Sequence, residues 1–401
     1  MIWSFYQNGI DILHPEVCWM GGHKHLILEF PGVYAIVAYA YEIFAADHSI
    51  ARAVLLLFFA GGTVYFYKIV ALLTSLNLAR LATLIYLLIP LGLFYSRAIQ
   101  IDFSAMFFVL GMVFHFSVGY TQKRLGHVLV GSLFAVLAFV TKVPYVVPVV
   151  FPLAFLIVRS NNWKFVLKSG LFLLLPMLVF SFWWQHSLQV NSSAPEWDFI
   201  PTYRKFTESN HWYFGTLDQR LKVANWLVIA NRLLSEVIGW LGLSLLGFSL
   251  FARNRGLTFF LFWLIGTVVY GFIFFNLNLI HNYYQTPFLV PFAVLIAVGL
   301  FKLYELLSSK NAIVGKLATV AVLLVLGASN FNFAETNYYS NQSYLELIGN
   351  VIGKNSEPDD LVIISFGKMD PRCPLLLYRA RRNGWSIPHQ DLSPPLIYKL
   401  M

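Results

Sequence analysis

The sequence predicts an all-α polytopic membrane protein with a small α/β domain at its C-terminal end, and three observations carry that prediction. Of 401 residues, 58% are hydrophobic and only 12% are charged, a balance that excludes a soluble enzyme built around one large core. Apolar runs, about ten of them, follow one another between residues 50 and 329, close enough to bilayer length to read as spans. After Asn330 the pattern changes to an amphipathic helix, a buried strand and a further apolar element. The net charge of +9 would point to nucleic acid in a soluble chain. Here the basic residues gather in short loops between apolar runs, so no nucleic-acid partner is implied.

Residues 1–49 read as an outer loop rich in histidine and aromatics, with Asp11, His14, His23, His25 and Glu29, and one short helix near its start. No basic n-region precedes an apolar h-region, so this is not a signal peptide. FPGVYAIVAYAYEIFAA is apolar for about 15 residues, but it opens on Pro31 and carries Glu42, which suits an interfacial helix better than a span. The membrane domain, 50–329, holds runs at roughly 50–73, 80–97, 103–119, 127–141, 144–158, 165–183, 237–252, 257–275, 283–304 and 312–329. Their alternation puts Arg80, Lys123, Arg124, Arg159, Lys164, Lys168, Arg253, Arg255, Lys302, Lys310 and Lys316 on one side, which makes that side cytoplasmic. The other side receives residues 1–49, the turns around Asp102, Lys142 and His281, a long loop 184–236, and a partial extracytoplasmic α/β domain, 330–401. Chemistry is expected on that outer face, because most of the polar, non-basic sequence lies there.

Charges at bilayer depth are costly, so ionisable residues at span ends are the first functional candidates. Arg97 and Asp102 sit in SRAIQID between two apolar runs. They read either as functional residues whose partners lie elsewhere in the chain or as a snorkelling arginine and a helix-capping carboxylate. Lys142, in FVTKVPYVVPVVFP, is a compact point charge at a proline-rich break, suited to a phosphate, with snorkelling as the other reading. His281, Tyr283 and Tyr284, in HNYYQTPFLVP, read as an anion site or as an aromatic belt. In the long loop, Asp198, Tyr203, Arg204, Lys205, Glu208, His211 and Trp212 mix aromatics with polar groups, a mixture suited to hydroxyl-rich ligands. Asn191 opens a formal glycosylation sequon, NSS, without meaning in a bacterial chain. Cys18 and Cys373 have no metal-ligand spacing, and both a single bridge and two free thiols fit them.

EFPGVY, IARAVLLLF, RAIQID, FVTKVPYVVPVVFP, HNYYQTPFLVP and LLLYRARRNGW, in that order and on one predicted side, resemble the GT-C membrane glycosyltransferases of the protein O-mannosyltransferase superfamily. The bacterial aminoarabinose transferases of lipid A and the galacturonosyltransferases of the lipopolysaccharide core are the nearest in pattern. The resemblance implies a multi-pass enzyme of the plasma or inner membrane. Such an enzyme takes a sugar from a polyprenyl-phosphate donor and passes it, with inversion, to a lipid, glycan or protein acceptor on the outer face. It implies Asp102 as a catalytic carboxylate, and Lys142, His281, Tyr283 and Tyr284 as substrate-binding residues; Arg97, and Tyr203 and Arg204 of the long loop, join them as substrate-binding candidates on their own chemistry. Glu29 matches a carboxylate that joins a divalent-metal site in some relatives. The family's principal acid follows a first span that would precede the helix beginning at Ile2. This leaves open whether the chain as written is active, with Asp11 a weaker substitute base. A lipid or solute transporter or flippase, using Asp102 and Lys142 as a relay, is the rival reading, and a noncatalytic envelope-assembly subunit a third. Transporters usually carry internal repeats, and none is evident here.

Overall fold

The computed structural model describes every residue except 196, 198, 199, 201–209, 253–255, 340–342, 367–374 and 401. The chain forms two compact units, each made of separated stretches: Met1–Ala46, Phe182–Ser209 and Ser340–Met401 in the first, Asp47–Ser181 and Asn210–Tyr339 in the second. The first unit opens with α1 (Ile2–Asn8) and α2 (Gly32–Ile43). The expected short helix and the expected break at Pro31 are both present, and at 12 residues α2 is too short to cross a bilayer.

The second unit carries the apolar helices. Asp47 caps α3 (His48–Leu73), its carboxylate accepting the Ser49 N–H at 2.6 Å. Pro90, which has no N–H to continue the preceding ladder and suits a first helical turn, splits the expected span at 80–97 into α4 (Leu76–Leu88) and α5 (Pro90–Tyr95). There follow α6 (Asp102–Gln122), α7 (Leu125–Lys142), α8 (Val147–Arg159) and α9 (Trp163–Ser192). Three short helices, α10 (Asn210–Phe214), α11 (Leu217–Leu221) and α12 (Val223–Arg232), lead into a π-helical turn, Leu233–Ile238. After it come α13 (Trp240–Ser249), α14 (Leu257–Ile273), α15 (Phe275–Ile280), a 3₁₀ turn at Asn282–Phe288, α16 (Leu289–Ser308) and α17 (Ala312–Tyr338).

Among the described residues, six helical runs are long and apolar enough to cross a bilayer, beginning at His48, Asp102, Leu125, Trp163, Asn282 and Ala312. Val223–Ile238 and Trp240–Ser249, bent by 85°, make a seventh if taken together. The count of ten read from hydropathy is not reached by this measure, because several apolar runs are short helices and two share the run Leu125–Arg159. Inside that run the chain doubles back at Lys142, where ψ is 76°. α7 lies antiparallel to α6, with Lys142 beside Asp102 and Val128 beside Gly119. α8 then returns along α14: Tyr145 packs edge-on to Tyr270 at 6.2 Å and Phe155 stacks on Phe262 at 5.1 Å. Phe165, at the start of α9, meets Tyr120 near the far end of α6 at 5.8 Å.

Two boundaries differ from the sequence reading. α9 runs on to Ser192 and α17 to Tyr338, so the loop drawn at 184–236 and the domain drawn at 330–401 both begin inside helices. The C-terminal elements are α18 (Ser343–Lys354), β1 (Leu361–Phe366), α19 (Leu375–Ala380), β2 (Asn383–Pro388) and α20 (Pro394–Leu400). β1 and β2 pair in parallel, Leu361 against Asn383 through Phe366 against Pro388. The N-terminal stretch joins this α/β unit instead of standing as its own domain. Val17, Trp19, Met20 and Leu26 share one core with Trp385, Ile387, Leu376 and Leu345, and the main chain of residues 18–21 bonds Gly384 in both directions, Gly21 N–H to its carbonyl at 2.8 Å and its N–H to Cys18 O at 3.0 Å. Burial raises the pKa of the Cys18 thiol, which slows thiolate chemistry there. Cys373, its candidate partner, lies outside the described residues.

Asn191, the sequon residue, is buried in the same unit and holds Ile27 through both main-chain groups, donating to its carbonyl and accepting from its N–H, each at 2.8 Å. Asn191→Ala leaves both groups buried and unpaired, at a cost of about 1–3 kcal/mol apiece. We expect a fall in the thermal unfolding midpoint of this variant; an unchanged midpoint would show that the pairing contributes nothing.

Candidate functional site

The site forms where four chain segments meet at one end of the helical unit: the start of α6, the end of α7, the end of α14 and the turn Asn282–Phe288. Asp102 stands in the first turn of α6, where the helix dipole favours a carboxylate. It is 2% exposed, and Lys142, the last residue of α7, is 8% exposed. The Lys142 Nζ donates to Asp102 Oδ1 at 2.7 Å. Removing two charges from water is expensive, and a contact this close with further hydrogen bonding is what makes it tolerable. Tyr145, three residues past the break, brings its hydroxyl to the same Asp102 oxygen and lies 2.9 Å from the Tyr283 carbonyl.

Three aromatic rings surround the Lys142 ammonium, with centroids 4.2 Å away for Tyr284, 4.9 Å for Tyr145 and 5.2 Å for Tyr283. Ring faces attract a desolvated cation more strongly than they would in water. His281 stacks on Tyr283 at 4.9 Å and also meets Trp212 at 6.0 Å. Tyr270 of α14 donates its hydroxyl to the Tyr284 carbonyl at 2.8 Å, and Arg232 donates to the Leu279 carbonyl at 2.8 Å just ahead of the turn. Gln285 is fully buried with both amide atoms unpaired, and the Ser104 hydroxyl, two residues after Asp102, is buried and unpaired as well.

The structure thus brings together Asp102, Lys142, Tyr283 and Tyr284, with His281 stacked behind them. Arg97 is exposed and occupied elsewhere: its guanidinium bonds the Tyr339 hydroxyl and lies 4.8 Å from that ring. Tyr203 and Arg204, like Asp198, Lys205 and Glu208, fall outside the described residues. Glu29 belongs to the other unit and accepts from the Tyr34 hydroxyl at 2.9 Å. Among the described residues no three His, Cys, Asp or Glu side chains converge on a possible metal position. Tyr145, Asn282 and Glu236 escaped the sequence reading. For Glu236 a signal was available, a lone carboxylate at the edge of the apolar run 237–252.

With this arrangement the chain has the GT-C fold of the membrane glycosyltransferases. The crystal structure of ArnT from Cupriavidus metallidurans bound to undecaprenyl phosphate matches it at a TM-score of 0.60 and 13% identity, covering 94% of this chain and 78% of that one. The Archaeoglobus fulgidus oligosaccharyltransferase, in complex with Zn and sulfate, matches at a TM-score of 0.61 and 12% identity, covering 96% of this chain. This chain spans only 57% of the oligosaccharyltransferase. A second structure of that protein, tethered with an acceptor peptide, matches at a TM-score of 0.56 and 12% identity, covering 98% of this chain and 59% of that one. No family model and no curated protein sequence matches the chain. At these identities the likeness is one of fold.

Proposed function

We propose that the protein is a membrane glycosyltransferase that moves a sugar from a polyprenyl-phosphate donor to an acceptor on the outer face of the membrane. The observation that carries this reading is the Lys142 ammonium: buried, held by Asp102 and ringed by tyrosines in a GT-C fold. A desolvated ammonium with rotatable donors suits a phosphate, and it stabilises the charge that grows on a departing phosphate. That one structural neighbour was solved with undecaprenyl phosphate bound supports the same ligand class here.

In the reaction proposed, an acceptor hydroxyl oxygen attacks the anomeric carbon and the bond from that carbon to the phosphate oxygen breaks. The electron pair leaves on the polyprenyl phosphate, and the acceptor proton is released to water. Displacement from the opposite face inverts the anomeric centre. Lys142 receives the phosphate, while Asp102 keeps the ammonium aimed. His281 closes the anion site behind Tyr283.

The test uses membranes carrying the protein, offered a panel of radiolabelled polyprenyl-phosphate sugars. Asp102→Asn and Lys142→Ala should each cut transfer by about 10²–10³-fold. No turnover with any donor, or lipid-phosphate binding unchanged in both variants, would refute the reading and put a transporter in its place.

A further inference from the structure

The reaction above leaves one buried carboxylate unused. Glu236, 8% exposed, sits in the π-helical turn Leu233–Ile238, which Gly239 closes at φ 71° where the chain bends by 85°. Such turns interrupt the regular backbone and often mark functional positions. No ion pair among the described residues includes Glu236. Its Oε2 instead accepts from Asn282 Nδ2 at 2.7 Å and from the Tyr338 hydroxyl. The other end of the Asn282 amide, Oδ1, accepts from the Tyr95 hydroxyl at 2.7 Å.

A carboxylate accepts hydrogen bonds and donates none, so Glu236 dictates which way the Asn282 amide faces. The NH2 must turn to Glu236, and the carbonyl is left for Tyr95. Asn282 is the first residue of the turn whose next two residues, Tyr283 and Tyr284, supply two of the three rings around Lys142. The Tyr95 ring also packs on Tyr283 at 5.9 Å. The amide is therefore clamped at both ends, immediately ahead of the aromatic wall of the cation site.

We propose that Glu236 is a positioning residue: by locking the Asn282 amide it fixes the Tyr283–Tyr284 turn against Lys142, and so sets the affinity of that site for a phosphate. The inference rests on the reading that Lys142 takes the donor phosphate. It differs from a purely stabilising network in that the effect must travel through the two tyrosines.

The probe is polyprenyl monophosphate, titrated against the full chain in lipid nanodiscs, with thermal midpoints recorded in parallel. Glu236→Ala, which frees the amide and leaves two donors unpaired, should raise Kd by about tenfold. Glu236→Gln, whose carbonyl can accept the same two bonds, should stay within about threefold. Tyr95→Phe, a milder loss of the second clamp, should raise Kd by about threefold, and it carries the test if Glu236→Ala does not fold. On a Tyr283→Ala/Tyr284→Ala background, Glu236→Ala should cost nothing further. A lower midpoint with unchanged Kd in the folded protein, or additive losses in the cycle, would overturn the inference while leaving the donor reading intact. Wild-type protein that binds no polyprenyl phosphate would overturn both.

Discussion

Lys142→Met is expected to lose polyprenyl-phosphate binding by at least about 100-fold and to become less stable by about 3–5 kcal/mol. The substitution keeps an unbranched chain of similar length, so packing is nearly preserved and the charge alone is removed. Asp102 is then a buried carboxylate that has lost the cation 2.7 Å away and retains the Tyr145 hydroxyl. The instability comes from that uncompensated charge more than from any large net value of the pair. A double variant, Lys142→Met with Asp102→Asn, separates the two effects. It should recover most of the lost stability and none of the binding. Wild-type stability and wild-type Kd in Lys142→Met would remove Lys142 from the site altogether.

Gly266→Ala is expected to destabilise the helical unit by about 1–3 kcal/mol and to lower transfer by tenfold or more, although Gly266 touches no substrate group. A Cβ at this position would collide with the Pro148 carbonyl oxygen, and with main-chain carbons beside it. Backbone cannot rotate out of the way as a side chain can, so α8 and α14 must separate. Tyr145, at the head of α8, and Tyr270, near the end of α14, bracket the site from those two helices. Separation draws the Tyr145 hydroxyl away from Asp102. Gly271→Ala on the same helix is the control, since its Cβ would meet only the Phe288 ring edge at 3.5 Å, an ordinary contact. Equal effects in the two variants would show that the close approach at Pro148 is unimportant.

What the sequence made legible follows from what hydropathy measures. Asp102 and Lys142 stood out because an ionised side chain beside an apolar run is expensive and therefore informative. Their pairing across 40 positions was not legible, because no local period records an antiparallel hairpin of helices. Tyr145 and Asn282 carry no charge and leave no such trace, yet one bonds Asp102 and the other orients the tyrosine turn. Glu236 gave the same kind of signal as Asp102, but at the end of a stretch assigned to loop it was passed over. The helical extensions to Ser192 and Tyr338 were missed for a related reason: WWQHSLQVN and NFNFAETNY are polar, and polarity marks the limit of an apolar run, not the end of a helix.

The first unit has a consequence for how the protein is made. Its core joins Trp19 and Leu26 to Trp385 and Ile387, partners separated by nearly the whole chain. During synthesis Ile27 can pair with Asn191 midway along the chain, but this part of the core stays open until the last elements are translated. Closure of such long-range contacts is slow, and apolar side chains such as Trp19 and Met20 stay uncovered for most of translation. Truncations near the C-terminus should therefore appear as loosened packing around Trp19 and Leu26.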